Sequence, residues 1–293
     1  MLIADNVAIY ANSVFDAASH GTQLSCLTTW IGVVSFTLQL YFDFSGYSDM
    51  AIGLSRLFGI QLPINFNSPY KARSIIDFWR RWHITLSQFL QQYLYIPLGG
   101  NRDGKFKRYV NLMVTMLLGG LWHGANWTFV VWGGGLHGIF LMINHAWRAI
   151  AGDRLPSNFL SPRTIEMIKM LLTFFCTMFA WIFFRSDSLA TARIVLNGCL
   201  GADGGVVFFP DASYGLVDVS CETILSGGLA IAWLAPNTQE IMGYAKSVAL
   251  NSKSTTSKLS WRPSPVIGFS LGCLFCLVLS KLDKISPFLY YQF

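Results

Sequence analysis

Long apolar runs along this chain alternate with short basic or glycine-rich breaks. Runs at residues 24–42, 127–147, 165–184, 223–234 and 266–282 carry almost no charge. The longer ones approach the ~20 residues needed to cross ~30 Å of hydrocarbon. Shorter or interrupted apolar pieces lie at 50–62, 84–98 and 109–122. The pattern predicts five to eight membrane-embedded helices, with no strand-rich or repeat pattern competing. Residues 1–20 are mildly amphipathic and read as a surface segment. The stretch LPINFNSPYKARS, with two prolines, reads as a loop. Ser74-x-x-Asp77 resembles a capping box that opens one long helix, IIDFWRRWHITLSQFLQQYLYI. On its wheel Ile75, Phe78, Trp79, Trp82, Leu86, Phe89, Leu90 and Tyr93 share an apolar face. Asp77, Arg80, Arg81, Gln88, Gln91 and Gln92 lie opposite. Such an amphipathic helix belongs at an interface or along a polar cavity.

The piece at 109–122 is the informative one. Fourteen helical residues reach only about 21 Å, short of the hydrocarbon core. Basic residues flank the larger unit at 102–108 and 148–163, and short basic loops mark the cytoplasmic side. Two helices returning to one side must turn near Gly119-Gly120-Leu121-Trp122-His123-Gly124-Ala125-Asn126. Irregular backbone at membrane depth is tolerated where protein or a watery cavity surrounds it. His123 is therefore expected at a broken helix tip, in a polar cavity. In the glycine-rich run 132–138, small residues favour close helix packing. His137 there, and His145 beyond it, read as packing or interfacial histidines.

Composition narrows the class. Of 293 residues 53% are hydrophobic and only 12% charged, about half the charged share of a soluble domain. The net charge of +6 gathers in loops beside apolar runs rather than with base-stacking motifs, so a bilayer is the expected partner and nucleic acid is not. Six cysteines follow no disulfide or zinc spacing and read as small packing residues, including Cys273 and Cys276 inside an apolar run. The first residues lack the basic segment and cleavage site of a signal peptide. The tail SPFLYYQF reads as interfacial.

Histidine accepts and returns a proton near neutrality. His83 and His123 each follow a tryptophan and lie on elements expected to border one cavity. No metal spacing, nucleophile elbow or phosphate-binding loop accompanies them. A histidine base without a protein nucleophile points to direct transfer, in which a substrate hydroxyl attacks an activated acyl group. Asn126 or freed backbone N–H groups at the tip are candidate donors to the oxyanion. Asp43 and Asp49, in YFDFSGYSDMAIG near the end of the first run, are ionisable groups at or near membrane depth. They read equally as solvated aspartates of an interfacial loop with Gly46 at its turn.

FWRRWHITLS, YIPLGGNRDGKFKRYVNLM, LLGGLWHGANWTFVVWGGGLHG, YFDFSGYSDMAIG and the closing PFLYYQF together resemble the membrane-bound O-acyltransferase family, nearest its bacterial alginate O-acetyltransferase branch. The likeness is dense from about residue 37 to 147 and thin afterwards. It implies an all-α, polytopic transmembrane bundle with broken or re-entrant helices: one membrane-embedded domain over 1–293, its motif-bearing core at 37–147 and C-terminal spans at 165–293. It implies His123 as the catalytic residue and His83 as the second histidine of the reaction tunnel. Trp122, Asn126, Asp43, Asp49, Arg80 and Arg81 fall in matching motifs as supporting residues. The implied chemistry is O-acyl transfer from a cytoplasmic thioester, acetyl-CoA or another, with no bound cofactor and no metal. The implied acceptor is an exported cell-envelope polysaccharide such as alginate, reached directly or through a periplasmic partner transferase, at a bacterial inner membrane. Family members carry further helices before the YFDFSGYSDMAIG region, so the chain reads as shortened at its N-terminus. The rival expectations are a membrane transporter, whose broken helices look similar, and an inactive scaffold.

Overall fold

The computed structural model describes residues 2–151, 161–202, 220–243 and 261–280. Every regular element among these residues is helical. In order they are α1 (Ala4–Ser19), α2 (Cys26–Leu57), a 3-10 turn (Pro69–Lys71), α3 (Ile75–Trp79), α4 (Ile84–Leu90), a π-helical segment (Gln91–Tyr95) and α5 (Gly104–His123). A second π-helical segment (Thr128–Gly134) runs directly into α6 (Gly135–Ala151). α7 (Pro162–Arg185), α8 (Leu189–Leu200), α9 (Cys221–Leu234), α10 (Thr238–Ile241) and α11 (Pro265–Leu279) follow. The aromatic tail, and residues 152–160, 203–219 and 244–260, lie outside the described residues.

Among the described residues two helical stretches, Thr128–Ile150 and Pro162–Arg185, are long and apolar enough to cross a membrane. They match the expected runs at 127–147 and 165–184 to within a few residues. The elements expected at 223–234 and 266–282 form α9 and α11, but at 14 and 15 residues. α11 buries none of its side chains. Large apolar groups also face outward on α6 (Ile143, Trp147) and α7 (Leu172, Phe175), as a lipid-facing exterior requires.

Several expectations are corrected. Residues 1–20 do not lie on the surface: Val7, Ala11, Val14 and Phe15 of α1 are among the most buried side chains, packed along α2. Gly32 of α2 faces Val14 so closely that any added Cβ would overlap it. Gly46 marks no turn, because α2 continues unbroken for 32 residues and carries both Asp43 and Asp49. α8, which the apolar runs did not anticipate, packs on α1 and α2. Cys273 and Cys276 are exposed on α11 rather than packed inside. The short piece at 109–122 is the C-terminal part of α5, which starts at Gly104 and has 20 residues, or about 30 Å of helix. Gly119 and Gly120 lie within it, and the chain breaks only after His123.

Ser74 caps α3 as expected, its side chain accepting from the Asp77 N–H at 3.1 Å. The Asp77 carboxylate reaches back to the Arg73 N–H at 3.2 Å. Removing the hydroxyl in Ser74→Ala is expected to cost about 1 kcal/mol, read as a lowered Tm of the detergent-solubilised protein. The long amphipathic helix expected after Ser74 does not form. It divides into α3, α4 and the first π-helical segment, and Phe89 and Tyr93 of its apolar face are exposed. The core that α3 and α4 join is aromatic. Tyr41, Phe66, Tyr70, Phe78, Trp82 and Trp181 pack at ring separations of 5.1–6.5 Å. The buried Tyr70 hydroxyl is satisfied by donating to the Thr37 carbonyl at 2.7 Å.

Candidate active site

The break between α3 and α4 places His83. The residue holds a left-handed conformation (φ 41°, ψ 57°), uncommon for any residue but glycine and a cost the surroundings must offset. They do so through the loop at 60–68. The Arg81 carbonyl accepts from the Asn67 N–H at 3.0 Å, and the Asn65 carbonyl accepts from the Ile84 N–H at 3.0 Å. The Asn65 side-chain oxygen accepts from the Thr85 hydroxyl at 2.6 Å. His83 then caps α4, its Nδ1 accepting from the Leu86 N–H at 3.4 Å. A neutral ring that accepts at Nδ1 carries its proton on Nε2. His83 is thereby set up as a donor through Nε2.

His123 closes α5. Gly124 follows with φ 154° and ψ 151°, backbone that glycine adopts most easily, and a Cβ there would press on the Phe129 ring at 3.0 Å. Asn126 then restarts the helix. Its carbonyl accepts from Phe129 and Val130 N–H, and its side-chain oxygen accepts from Thr128 N–H at 3.1 Å. The α5 and α6 arms close over two glycines. Added Cβ atoms would strike the Phe129 carbonyl at Gly120 and the Met116 carbonyl at Gly134. This contact brings the arms near enough to enclose a cavity.

That cavity, of about 50 Å³, is lined by His83 and His123 together with Leu40, Leu90, Met116 and Phe184. Trp122 meets both histidine rings edge-on, at 6.2 Å from His83 and 4.9 Å from His123. Phe184 of α7 meets His123 edge-on at 5.3 Å. The remaining residues singled out from the sequence lie around the cavity rather than along its wall. Asn126 is exposed and donates to the Asp187 carbonyl at 3.4 Å. Arg81 pairs with Asp77 at 2.8 Å and donates to the Asn67 carbonyl at 3.3 Å, bracing the α3–α4 break. Asp49 accepts from Gln239 at 2.8 Å, tying α2 to α10. Asp43 is half-buried on α2, Arg80 is exposed, and Trp122 is more than half exposed. The wall also contains His137, buried on α6 beneath Trp79 and Trp181. Its pattern in the sequence reads as that of a packing or interfacial histidine, but the structure sets it in the cavity wall. The usable signal was its spacing, one helical turn beyond Gly133 and Gly134, the glycines that form the same wall.

Regular structure that is helical throughout the described residues, an apolar exterior and two histidines brought together from two helix breaks are the setting in which the sequence comparisons fall. The family model for MBOAT, membrane-bound O-acyltransferase family, matches residues 11–186. The chain is 42% identical to the peptidoglycan O-acetyltransferase of Helicobacter pylori, aligning over all of this chain and 54% of that protein. It is 47% identical to the probable alginate O-acetylase AlgI of Pseudomonas syringae pv. tomato, over all of this chain and 61% of that one. A teichoic acid D-alanyltransferase of Streptococcus thermophilus is 33% identical over 51% of this chain and 39% of its own length. The chain belongs to the membrane-bound O-acyltransferase family. It spans a little over half the length of the whole-chain relatives it matches.

Proposed function

We propose that this chain carries the catalytic core of an O-acetyltransferase that modifies a cell-envelope polysaccharide at a bacterial inner membrane. The donor is a cytoplasmic acyl thioester, acetyl-CoA in the simplest case, and the acceptor is a hydroxyl of an exported polymer such as alginate. Transfer is direct or passes through a periplasmic partner transferase. The observation that carries the reading is the meeting of His83 and His123 in one small cavity bordered by an apolar exterior. The acetylase names of the relatives support it.

In this reading His123 accepts the proton of the attacking hydroxyl as the new C–O bond forms at the thioester carbonyl. The tetrahedral oxyanion takes a hydrogen bond from His83 Nε2–H. The C–S bond then breaks, and the thiolate leaves with the proton returned by the imidazolium. The direct test supplies labelled acetyl thioester and polysaccharide to the protein in vesicles and measures ester-linked label on the polymer. Label that stays thioester-bound, with the partner transferase also present, would refute the assignment.

The two tasks of His83 can be separated. Asparagine tolerates the left-handed region and caps helices well, but does not reproduce an imidazole N–H at the Nε2 position. His83→Asn is expected to keep the Tm within a few degrees while transfer falls about 10²–10³-fold, the usual cost of losing an oxyanion donor. Parallel loss of Tm and activity would instead make His83 a cap alone.

A further inference from the structure

His137 is 3% exposed, and among the described residues neither of its ring nitrogens has a hydrogen-bond partner. The Nε1–H of Trp79, whose indole meets the His137 ring edge-on at 5.0 Å, is buried and unpartnered as well. Burying such groups without a partner costs on the order of 1–3 kcal/mol each, and both residues line the cavity that contains His83 and His123. Their place along it follows from the packing of α5 on α6. Gly134 closes on Met116 and Gly138 on Met113, so His137 sits at the level of Met113–Met116. At 1.5 Å per residue this is about 10–15 Å along the helix from His123 and about 8–12 Å from Arg108 at the basic end of α5.

Resting on the acyltransferase reading, we propose that His137 and Trp79 form a second polar station in the cavity, which binds an amide group in the arm of the thioester donor. A neutral imidazole offers one donor and one acceptor, and the indole offers one donor. A secondary amide can bridge the two side chains: its carbonyl accepts from the Trp79 indole N–H and its own N–H donates to the free ring nitrogen of His137, whose N–H is left for a further carbonyl of the arm. An anionic donor docking at the basic end (Lys105, Lys107, Arg108) passes this level before its acyl carbon can reach His123. The pantetheine arm of coenzyme A has this form, a flexible chain with amides between phosphate and sulfur. His137 thus holds the arm and takes no part in proton transfer.

The test compares two donors, acetyl-CoA and S-acetyl-2-mercaptoethanol, which has no amide. In His137→Phe the stack on Phe78 and the edge contact with Trp181 are kept and both nitrogens are lost. The KM for acetyl-CoA is expected to rise at least about tenfold with kcat within about twofold, while kcat/KM for the amide-free thioester is unchanged. His137→Gln, which restores a donor and an acceptor, is expected to recover most of the acetyl-CoA KM. An unchanged acetyl-CoA KM in His137→Phe overturns the proposal, as does an equal loss with both donors. A fall in Tm with donor kinetics intact overturns it in favour of a buried water on the same groups. Should the parent protein turn over neither donor, the acyltransferase reading itself fails, a result separable from all of these.

Discussion

Replacing His123 by alanine is expected to lower acetyl transfer about 10²–10⁴-fold, the range a positioned general base contributes. The fold is expected to tolerate the change. The His123 ring is only partly buried, and it makes edge contacts with Trp122 and Phe184. It is the last residue of α5, so truncation there removes a side chain without breaking a helix interior. Label transferred from acetyl thioester to polymer measures the effect, and the helical circular-dichroism signal and Tm report the fold. His20→Ala, at an exposed histidine following α1, is the matched control and is expected to leave turnover unchanged. Turnover of His123→Ala within about threefold of the parent would remove the base from the mechanism, and with it the reason for reading this cavity as the reaction site.

What could be read from the sequence depended on whether a local pattern or a distant partner set the structure. The membrane-length helices at 128–150 and 162–185 are legible because about twenty mostly apolar residues leave little alternative, and Ser74 is legible because a cap acts within three residues. The bend at His83 is not. The apolar positions 78, 82, 86 and 90 keep helical period straight through it, and the groups that pull the chain out of helix come from Asn65 and Asn67, some twenty residues earlier. The loop is evident from its prolines, but the competition of its amides with the helix for hydrogen bonds is not. The glycines at 119 and 120 misled in the opposite way. They read as a turn, yet they lie within α5, and Gly120 serves close approach rather than bending. The site histidines were named from local motifs, whereas His137 needed the packing of α5 on α6 before its place in the same wall could be seen.

That packing carries the second large effect. Two adjacent glycines, 134 and 135, differ in what an added methyl would meet. At Gly135 a Cβ reaches the tip of Leu117 at 3.5 Å, an ordinary contact with a side chain that can move. At Gly134 it falls on the Met116 carbonyl, with the Gly120 Cα at 3.3 Å, and both obstacles are backbone. Neither can rotate aside, so the arms must part. Forced overpacking of this kind costs about 1–3 kcal/mol. The functional loss should exceed the structural one, because Met116, Gly120, Gly134 and His123 share the cavity wall and a displacement near 1 Å at reacting groups can cost about 10²-fold. Gly134→Ala is therefore expected to lose roughly 10²-fold in transfer with a modest drop in Tm. Gly135→Ala is expected to stay within about twofold and to gain Tm slightly from its better helix propensity. Both are read by the label-transfer assay beside thermal melts. Equal behaviour of the two variants would mean that the closeness of α5 and α6 does not shape the wall that holds His123, and the cavity would lose its claim to be a preorganised site.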